Sequence, residues 1–198
     1  MEKPLSQPCL RNQQAICEAL RVHFAGVSRV LELGSGTGQH AVYMAARMPH
    51  LQWQPSELAG ALAGIELWRQ EAGLDNLLPA FELDVSRRPW PIEGTYSGAF
   101  TANTLHYVGW SVVEALLGGV VDALEQGRCF CAYGPFNREG RYTSAGNRDL
   151  DVWLRQRDPA SGIKDIAEIS DVAAGLGLRY LGEETMPANN LLLRFERK

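Results

Sequence analysis

A chain of 198 residues, 45% of them hydrophobic, can bury one sizeable core but not two domains and a linker, so a single domain over residues 1–198 is expected. A formal net charge of -4 and a pI near 5.6 speak against a protein held to nucleic acid by phosphate contacts, which needs a concentrated excess of Lys and Arg; a small-molecule partner fits better. No run approaches the ~18 apolar residues that span a bilayer, the opening residues 1–6 lack the basic and apolar regions of a secretory leader, and Cys9, Cys17, Cys129 and Cys131 contain no C-x-x-C pair, so a cytoplasmic protein with reduced thiols, no metal and no membrane contact is expected.

Ala15, Ile16, Ala19, Leu20 and Phe24 recur at helical spacing, which predicts a helix over 12–24 with Asn12 as its cap. Residues 27–33 form an apolar run ending in glycines, followed by an amphipathic stretch over 39–47: a strand, a tight turn and a helix. The pattern repeats, with strands predicted over 51–55, 78–85, 96–102 and 128–133 and helices over 64–71 and 112–124. Strands that alternate with helices imply crossover connections and parallel pairing. Residues 136–163 break the rhythm, being rich in Arg, Asn, Gly and Asp, and read as a lid or substrate-facing insertion. A helix over 166–176 should start near Lys164 or Asp165 and stop at Gly177. Strands over 178–181 and 191–195 are joined by residues 182–190, too short for a crossover helix, so they should pair antiparallel. The expected fold is α/β: a three-layer Rossmann-like sandwich with a seven-stranded, mostly parallel sheet and an antiparallel C-terminal strand.

The first turn, Glu32-Leu33-Gly34-Ser35-Gly36-Thr37-Gly38-Gln39, reads E-x-G-x-G-x-G. Glycines let the backbone approach a ligand and adopt angles closed to other residues, and the turn aims the first amides of the next helix at whatever is bound. Gly36, Gly38 and Ala41 formally satisfy the dinucleotide pattern G-x-G-x-x-A. In that register, however, the first glycine stands three positions beyond the strand rather than directly after it, which weakens a nicotinamide-dependent oxidoreductase. Glu57, at the end of the second strand, stands close to the ~20-residue spacing at which an acid meets ribose hydroxyls, and Asp84, closing the third strand, is placed for an adenine amino group. Either acid alone could equally be a solvated loop residue.

Together these residues resemble the class I S-adenosylmethionine-dependent methyltransferases over the whole chain. More narrowly, the sequence resembles a methyltransferase-like family described only as a domain of unknown function, through Pro8-Cys9-Leu10-Arg11-Asn12, Gly34-Ser35-Gly36-Thr37-Gly38-Gln39-His40-Ala41, Trp53-Gln54-Pro55-Ser56, Tyr133-Gly134-Pro135-Phe136, Leu154-Arg155-Gln156-Arg157-Asp158-Pro159 and Met186-Pro187-Ala188-Asn189-Asn190. Glu57 stands where that family usually has Asp, and Tyr107-Val108-Gly109 where it has a more apolar run ending in proline. The resemblance implies S-adenosylmethionine as cofactor but no acceptor. The candidate cofactor contacts are Glu32, Gly34, Gly36, Gly38, Gln39, Glu57, Asp84, Val85 and Asn103.

Ligands of open α/β sheets bind beyond the carboxyl ends of the strands, which selects residues 103–107 and 133–136. His106 is the acid-base candidate, against a purely packing role in its loop; Tyr133 either touches substrate or ties down its hydroxyl in the core. His40 reads as structural, and His23 and His50 as surface residues. Arg11, Asn12, Asn147, Arg155 and Asn189 are the candidate substrate contacts, since arginines over a pocket suit a carboxylate or phosphate; the bland alternative is a solvated polar face balanced by Glu139, Asp149, Asp151 and Asp158. The expected function is methyl transfer to a small polar metabolite. The competing readings are a cofactor-binding regulatory or scaffold protein without catalysis and an RNA or protein methyltransferase.

Overall fold

The computed structural model describes residues 2–198. In chain order the elements are α1 (Gln7–His23), β1 (Arg29–Leu33), α2 (Gln39–Arg47), β2 (Gln52–Glu57), α3 (Ala59–Ala72), β3 (Phe81–Glu82), β4 (Tyr96–Ala102), α4 (Trp110–Ala123), β5 (Leu124–Gly134), α5 (Ala145–Arg157), α6 (Ile166–Leu176), β6 (Leu178–Met186), a single 3-10 turn (Pro187–Asn189) and β7 (Asn190–Arg197). One seven-stranded sheet runs in the order β3-β2-β1-β4-β5-β7-β6. Its pairs are parallel except those of β7, which lies antiparallel to both β5 and β6, so the reversed strand foreseen from the short terminal link is inserted between its neighbours. Among the described residues, no helix is long and apolar enough to cross a membrane.

Alternation along the strands builds a core on each face of the sheet. Leu31 and Leu33 of β1, Ala99 of β4 and Phe130 of β5 pack with Val113, Leu117 and Val120 of α4 and Ile169 of α6. Val30, Trp53, Phe100 and Cys131 point the other way, onto Ile16 and Leu20 of α1 and Ala41 and Met44 of α2. These large side chains are buried, and at about 25 cal/mol per Å² of apolar surface removed from water they dominate the stability of the sandwich.

Several boundaries depart from expectation for identifiable reasons. Helix α1 begins at Gln7, with the Ser6 hydroxyl accepting from the Cys9 amide and Pro8 in its first turn; Asn12 is therefore not a cap but a buried residue of the helix interior. Strand β3 spans only two residues and starts late because Pro79 cannot donate to a ladder; the chain before it is held instead by Leu78 N–H on the Trp53 carbonyl at 2.9 Å and by Gln54 Nε2 on the Pro79 carbonyl at 2.7 Å. Asp84 thus lies beyond the strand. Strand β6 runs on to Met186, which reduces the terminal link to Pro187–Asn189. The insertion contains an unforeseen helix, α5, capped by the Ser144 hydroxyl accepting from the Asn147 amide at 3.0 Å.

Candidate functional site

An open cleft of about 990 Å³ lies over the carboxyl ends of β1, β2, β4 and β5. Its first half is the turn between β1 and α2. Gly34 has φ +70°, and a Cβ there would stand 2.8 Å from Thr104 Oγ1, so the turn can approach the β4 loop only without a side chain. Gly36 has φ +56° and nothing within 4 Å of a Cβ position: the backbone requires glycine while the space beside it is left for a ligand. Gly38 starts α2 with no side-chain cap, which leaves the first amides of that helix available to a ligand. Across the turn, Glu57 accepts from the Gly36 amide at 2.8 Å with one oxygen and from the Leu58 amide at 2.9 Å with the other. A carboxylate offers about four lone-pair positions, so acceptor capacity remains for ribose hydroxyls.

Below the turn Glu32 is 2% exposed and accepts from Trp53 Nε1 at 2.9 Å and Ser35 Oγ at 3.0 Å. Burial pushes its carboxyl up to about 7, against the pull of those donors, and the Glu57 charge adds to the push.

The second half of the cleft is assembled from distant segments. From α1 come Arg11 and Asn12; from the loop after β4, Asn103, Thr104, His106 and Tyr107; from β5 and beyond, Tyr133 and Pro135; from α5, Leu150; from the terminal link, Ala188; and from the start of β7, Asn190. A polar chain crosses it. Burial raises the Tyr133 phenol while the Asn12 and Asn190 side chains pull the other way, Asn12 Oδ1 lies 2.8 Å from His40 Nε2, and His40 Nδ1 lies 3.9 Å from Cys9 Sγ. The pairing with Oδ1 places the imidazole proton on Nε2, and burial holds His40 neutral by pushing it down to about 4. His106, 4% exposed, is likewise pushed to about 4 by burial and by the Lys164 ammonium. Lys164 Nζ donates to the Val108 carbonyl at 2.7 Å and the Gly162 carbonyl at 2.8 Å, and the Gly162 amide donates to the His106 carbonyl at 2.9 Å, tying the insertion to the β4 loop. Asn103 takes φ +57° while its amide donates to the Tyr133 carbonyl at 2.8 Å; a non-glycine residue in that region beside a cleft is where strain tends to accompany function.

The family model described as "Protein of unknown function (DUF938)" matches residues 3–197. The chain belongs to the DUF938 family. Solved structures share the fold of this DUF938 chain. An O-methyltransferase family protein from Burkholderia thailandensis is 18% identical with a TM-score of 0.82, covering 96% of this chain and 57% of its own. The S-adenosylmethionine-dependent methyltransferase SibL is 22% identical with a TM-score of 0.81, covering 96% and 55%. The O-methyltransferase NcsB1 from neocarzinostatin biosynthesis, seen with S-adenosylmethionine and 2-hydroxy-5-methyl naphthoic acid, is 15% identical with a TM-score of 0.73, covering 94% and 56%. The DUF938 chain spans a little over half the length of these relatives.

Within the DUF938 chain the residues singled out from sequence divide into two groups. Gly34, Gly36, Glu57, Asn103, His106, Tyr133, Arg11 and Asn12 border the cleft. The others do not. Glu32 lies under the turn, and Gln39 is buried with Oε1 accepting from the Ser6 amide and from Thr37 Oγ1, so it joins the head of α1 to the turn; Gly38 packs against Ile65 of α3. Asp84 folds onto its own loop, accepting from the Ser86 amide at 3.0 Å and hydroxyl at 2.6 Å; the hydroxyl first, then the amide and Arg87, hold its carboxyl below the usual range. Val85 packs against the core on the α4 side of the sheet. Asn147 donates to Thr143 Oγ1 at 2.8 Å and to the Asn189 carbonyl at 3.3 Å, and Arg155 donates to Asp151 at 2.8 Å. These contacts hold the insertion together, and it is Asn190 rather than Asn189 that reaches the cleft. Sequence reasoning missed Cys9, Thr37 and Leu150 as cleft residues and read His40 as structural; the run Pro8 to Asn12, already notable for its resemblance, was the available signal for the α1 wall.

Proposed function

We propose that this chain is an S-adenosylmethionine-dependent methyltransferase acting on a small polar metabolite. The observation that carries the reading is the Gly36 cradle: an obligatory glycine with open space beside it, its amide hydrogen-bonded to the one carboxylate that borders the cleft. The residues present fit the cofactor. The α2 amides suit its carboxylate end, and Glu57 suits its ribose hydroxyls. That relatives of the same fold are named as methyltransferases, one of them seen with the cofactor and a hydroxy acid, supports the same reading.

When bound, the cofactor supplies a methyl carbon to an acceptor lone pair while the electrons of the broken carbon–sulfur bond return to sulfur. The chain's part is to orient and to exclude water. Asn12, Tyr133 and Asn190 supply hydrogen-bonding partners for the acceptor, and Tyr107, Pro135 and Leu150 supply apolar walls. His106, held neutral, can accept a proton from an acceptor hydroxyl. A small acceptor accords with a cleft of about 990 Å³. The free cysteines support a cytoplasmic setting.

Calorimetry with S-adenosylhomocysteine tests the reading. The wild type should bind, and Gly36→Val, which fills the cradle, should weaken binding by about a hundredfold, equivalent to roughly 2.7 kcal/mol. Equal affinity in both would refute the site. Transfer of label from the cofactor into a metabolite extract separates catalysis from the scaffold alternative, in which the cofactor binds and no acceptor is labelled.

A further inference from the structure

We propose that the acceptor is a small anion, recognised by Arg11. The inference rests on the methyltransferase reading for the identity of the site, but it is carried by the charges around the cleft rather than by the glycine turn.

Among the described residues, only two Asp, Glu, Lys or Arg side chains border the cleft, Glu57 and Arg11. Glu57 is committed to the glycine-turn half through the Gly36 and Leu58 amides. The remaining titratable groups whose environment is defined are neutral at physiological pH. Burial raises the Cys9 thiol and the Tyr133 phenol, and it depresses the His40 and His106 imidazoles to about 4. The half of the cleft around Asn12, Tyr133, His106 and Asn190 therefore holds no anion. Arg11 stands beside Asn12 on the same stretch of α1, and among the described residues it has no carboxylate within ion-pair distance, although eleven other Lys, Arg or His side chains do. Behind His106 the Lys164 ammonium adds a second positive field, strong enough to lower the imidazole further.

An ammonium-bearing acceptor entering this half would meet a guanidinium on one wall, an ammonium behind another, and no carboxylate to replace its hydration. A carboxylate or phenolate would meet an unpaired guanidinium, whose planar fork suits bidentate pairing with a carboxylate, and neutral amide and hydroxyl groups to satisfy its remaining lone pairs. Tyr107 and Leu150 suit a ring or short aliphatic body attached to that charge.

Three ring probes of similar shape and different charge test the proposal: benzoate, benzamide and benzylammonium, titrated by ligand-observed NMR into protein saturated with S-adenosylhomocysteine. Benzoate should bind roughly tenfold tighter than either of the others. Arg11→Gln, a substitution at an exposed position, should erase that preference and leave S-adenosylhomocysteine affinity unchanged, while Arg11→Lys should retain part of it. Benzylammonium binding as well as benzoate would overturn the proposal. So would an Arg11→Gln variant that loses affinity for S-adenosylhomocysteine while keeping benzoate, because Arg11 would then serve the cofactor. If the wild type fails to bind S-adenosylhomocysteine, the methyltransferase reading falls; the same three probes on the protein alone still decide whether the cleft selects anions.

Discussion

The two halves of the cleft are built in opposite ways. The glycine-turn half comes from one contiguous stretch, Gly34 to Thr37, plus a single carboxylate at the end of the neighbouring strand, and its working groups are chiefly backbone amides. The acceptor half draws single side chains from α1, the β4 loop, the end of β5, α5 and the β6–β7 link. A backbone site imposes local rules on its sequence, namely glycine where φ is positive and no bulk where chains approach, whereas an assembled site imposes almost none.

If the acceptor half is an assembled structure, its support should be as firm as that of the turn, and the largest effect is expected there. Asp151 is 2% exposed and accepts from Tyr142 Oη at 2.8 Å, Arg155 Nε at 2.8 Å and the Ile163 amide at 2.6 Å. Burial alone would raise its carboxyl, and these three donors bring it below the usual range. Asp151→Ala removes the shared acceptor and strands the buried Ile163 amide, while the half-exposed Arg155 stays solvated, so stability should fall by about 3 kcal/mol, the upper end for leaving a buried donor unsatisfied. Urea melts read the loss, and limited proteolysis should show new cleavage within residues 136–163. A melt within 1 kcal/mol of wild type, roughly the worth of a surface pair, would mean that the insertion is a loose lid rather than part of the scaffold.

How far each half was legible follows from the same contrast. The alternation of strands and helices, the reversed terminal strand and the glycine turn could all be read in the letters, because each depends on periodicity, link length or a backbone requirement. Helix α5 could not. Its buried stripe is Asn147, Asp151 and Leu154, polar at two of three positions, so a search for apolar periodicity passes over it. The third strand was started too early because its apolar run begins before Pro79, whose missing amide delays the ladder to Phe81. Asn12 looked like a helix cap by residue type, but the helix starts earlier, capped by Ser6, and that shift turns Asn12 from a terminus into the buried partner of His40. Side chains that meet only after the chain folds leave no local mark.

A second prediction probes what lies under the turn. Glu32 is raised to about 7 by burial, whereas in the unfolded chain it titrates near 4.3. The folded state therefore keeps a proton that the unfolded state gives up. The contribution is full below the unfolded value and is lost as pH rises through about 7, on the order of 3 kcal/mol in all. His40 and His106 act the opposite way: both are depressed to about 4, so their contribution is full above about 6.5 and is lost as pH falls toward 4. Glu32→Gln cannot titrate, and the difference between wild-type and variant stability, measured by urea melts from pH 4 to 8, isolates the carboxyl. Wild type should lose ground to the variant steadily across that range. Parallel curves would show Glu32 ionised throughout, and the turn would then rest on a charge rather than on a neutral hydrogen-bonded acid.

The smallest effects discriminate best between a residue that resembles a cofactor contact and one positioned as a contact. Glu57 and Asp84 are both acids near the ends of adjacent strands. Glu57 borders the cleft with its carboxylate on the Gly36 amide, so Glu57→Ala removes an ionised hydrogen-bond partner and should weaken S-adenosylhomocysteine by at least about tenfold, corresponding to roughly 1.5 kcal/mol. Glu57→Asp, which shortens the reach by one methylene but keeps the charge, should recover part of that. Asp84 spends its acceptors on Ser86 and Arg87, and Asp84→Ala should change cofactor affinity by less than about twofold, at most roughly 0.4 kcal/mol. A tenfold loss at Asp84 would mean that residues 84–87 unfold from their own turn and reach the ligand on binding. In that case the contrast between a preformed half and an assembled half would fail at its preformed end, since the adenine side of the site would also be completed only by the ligand.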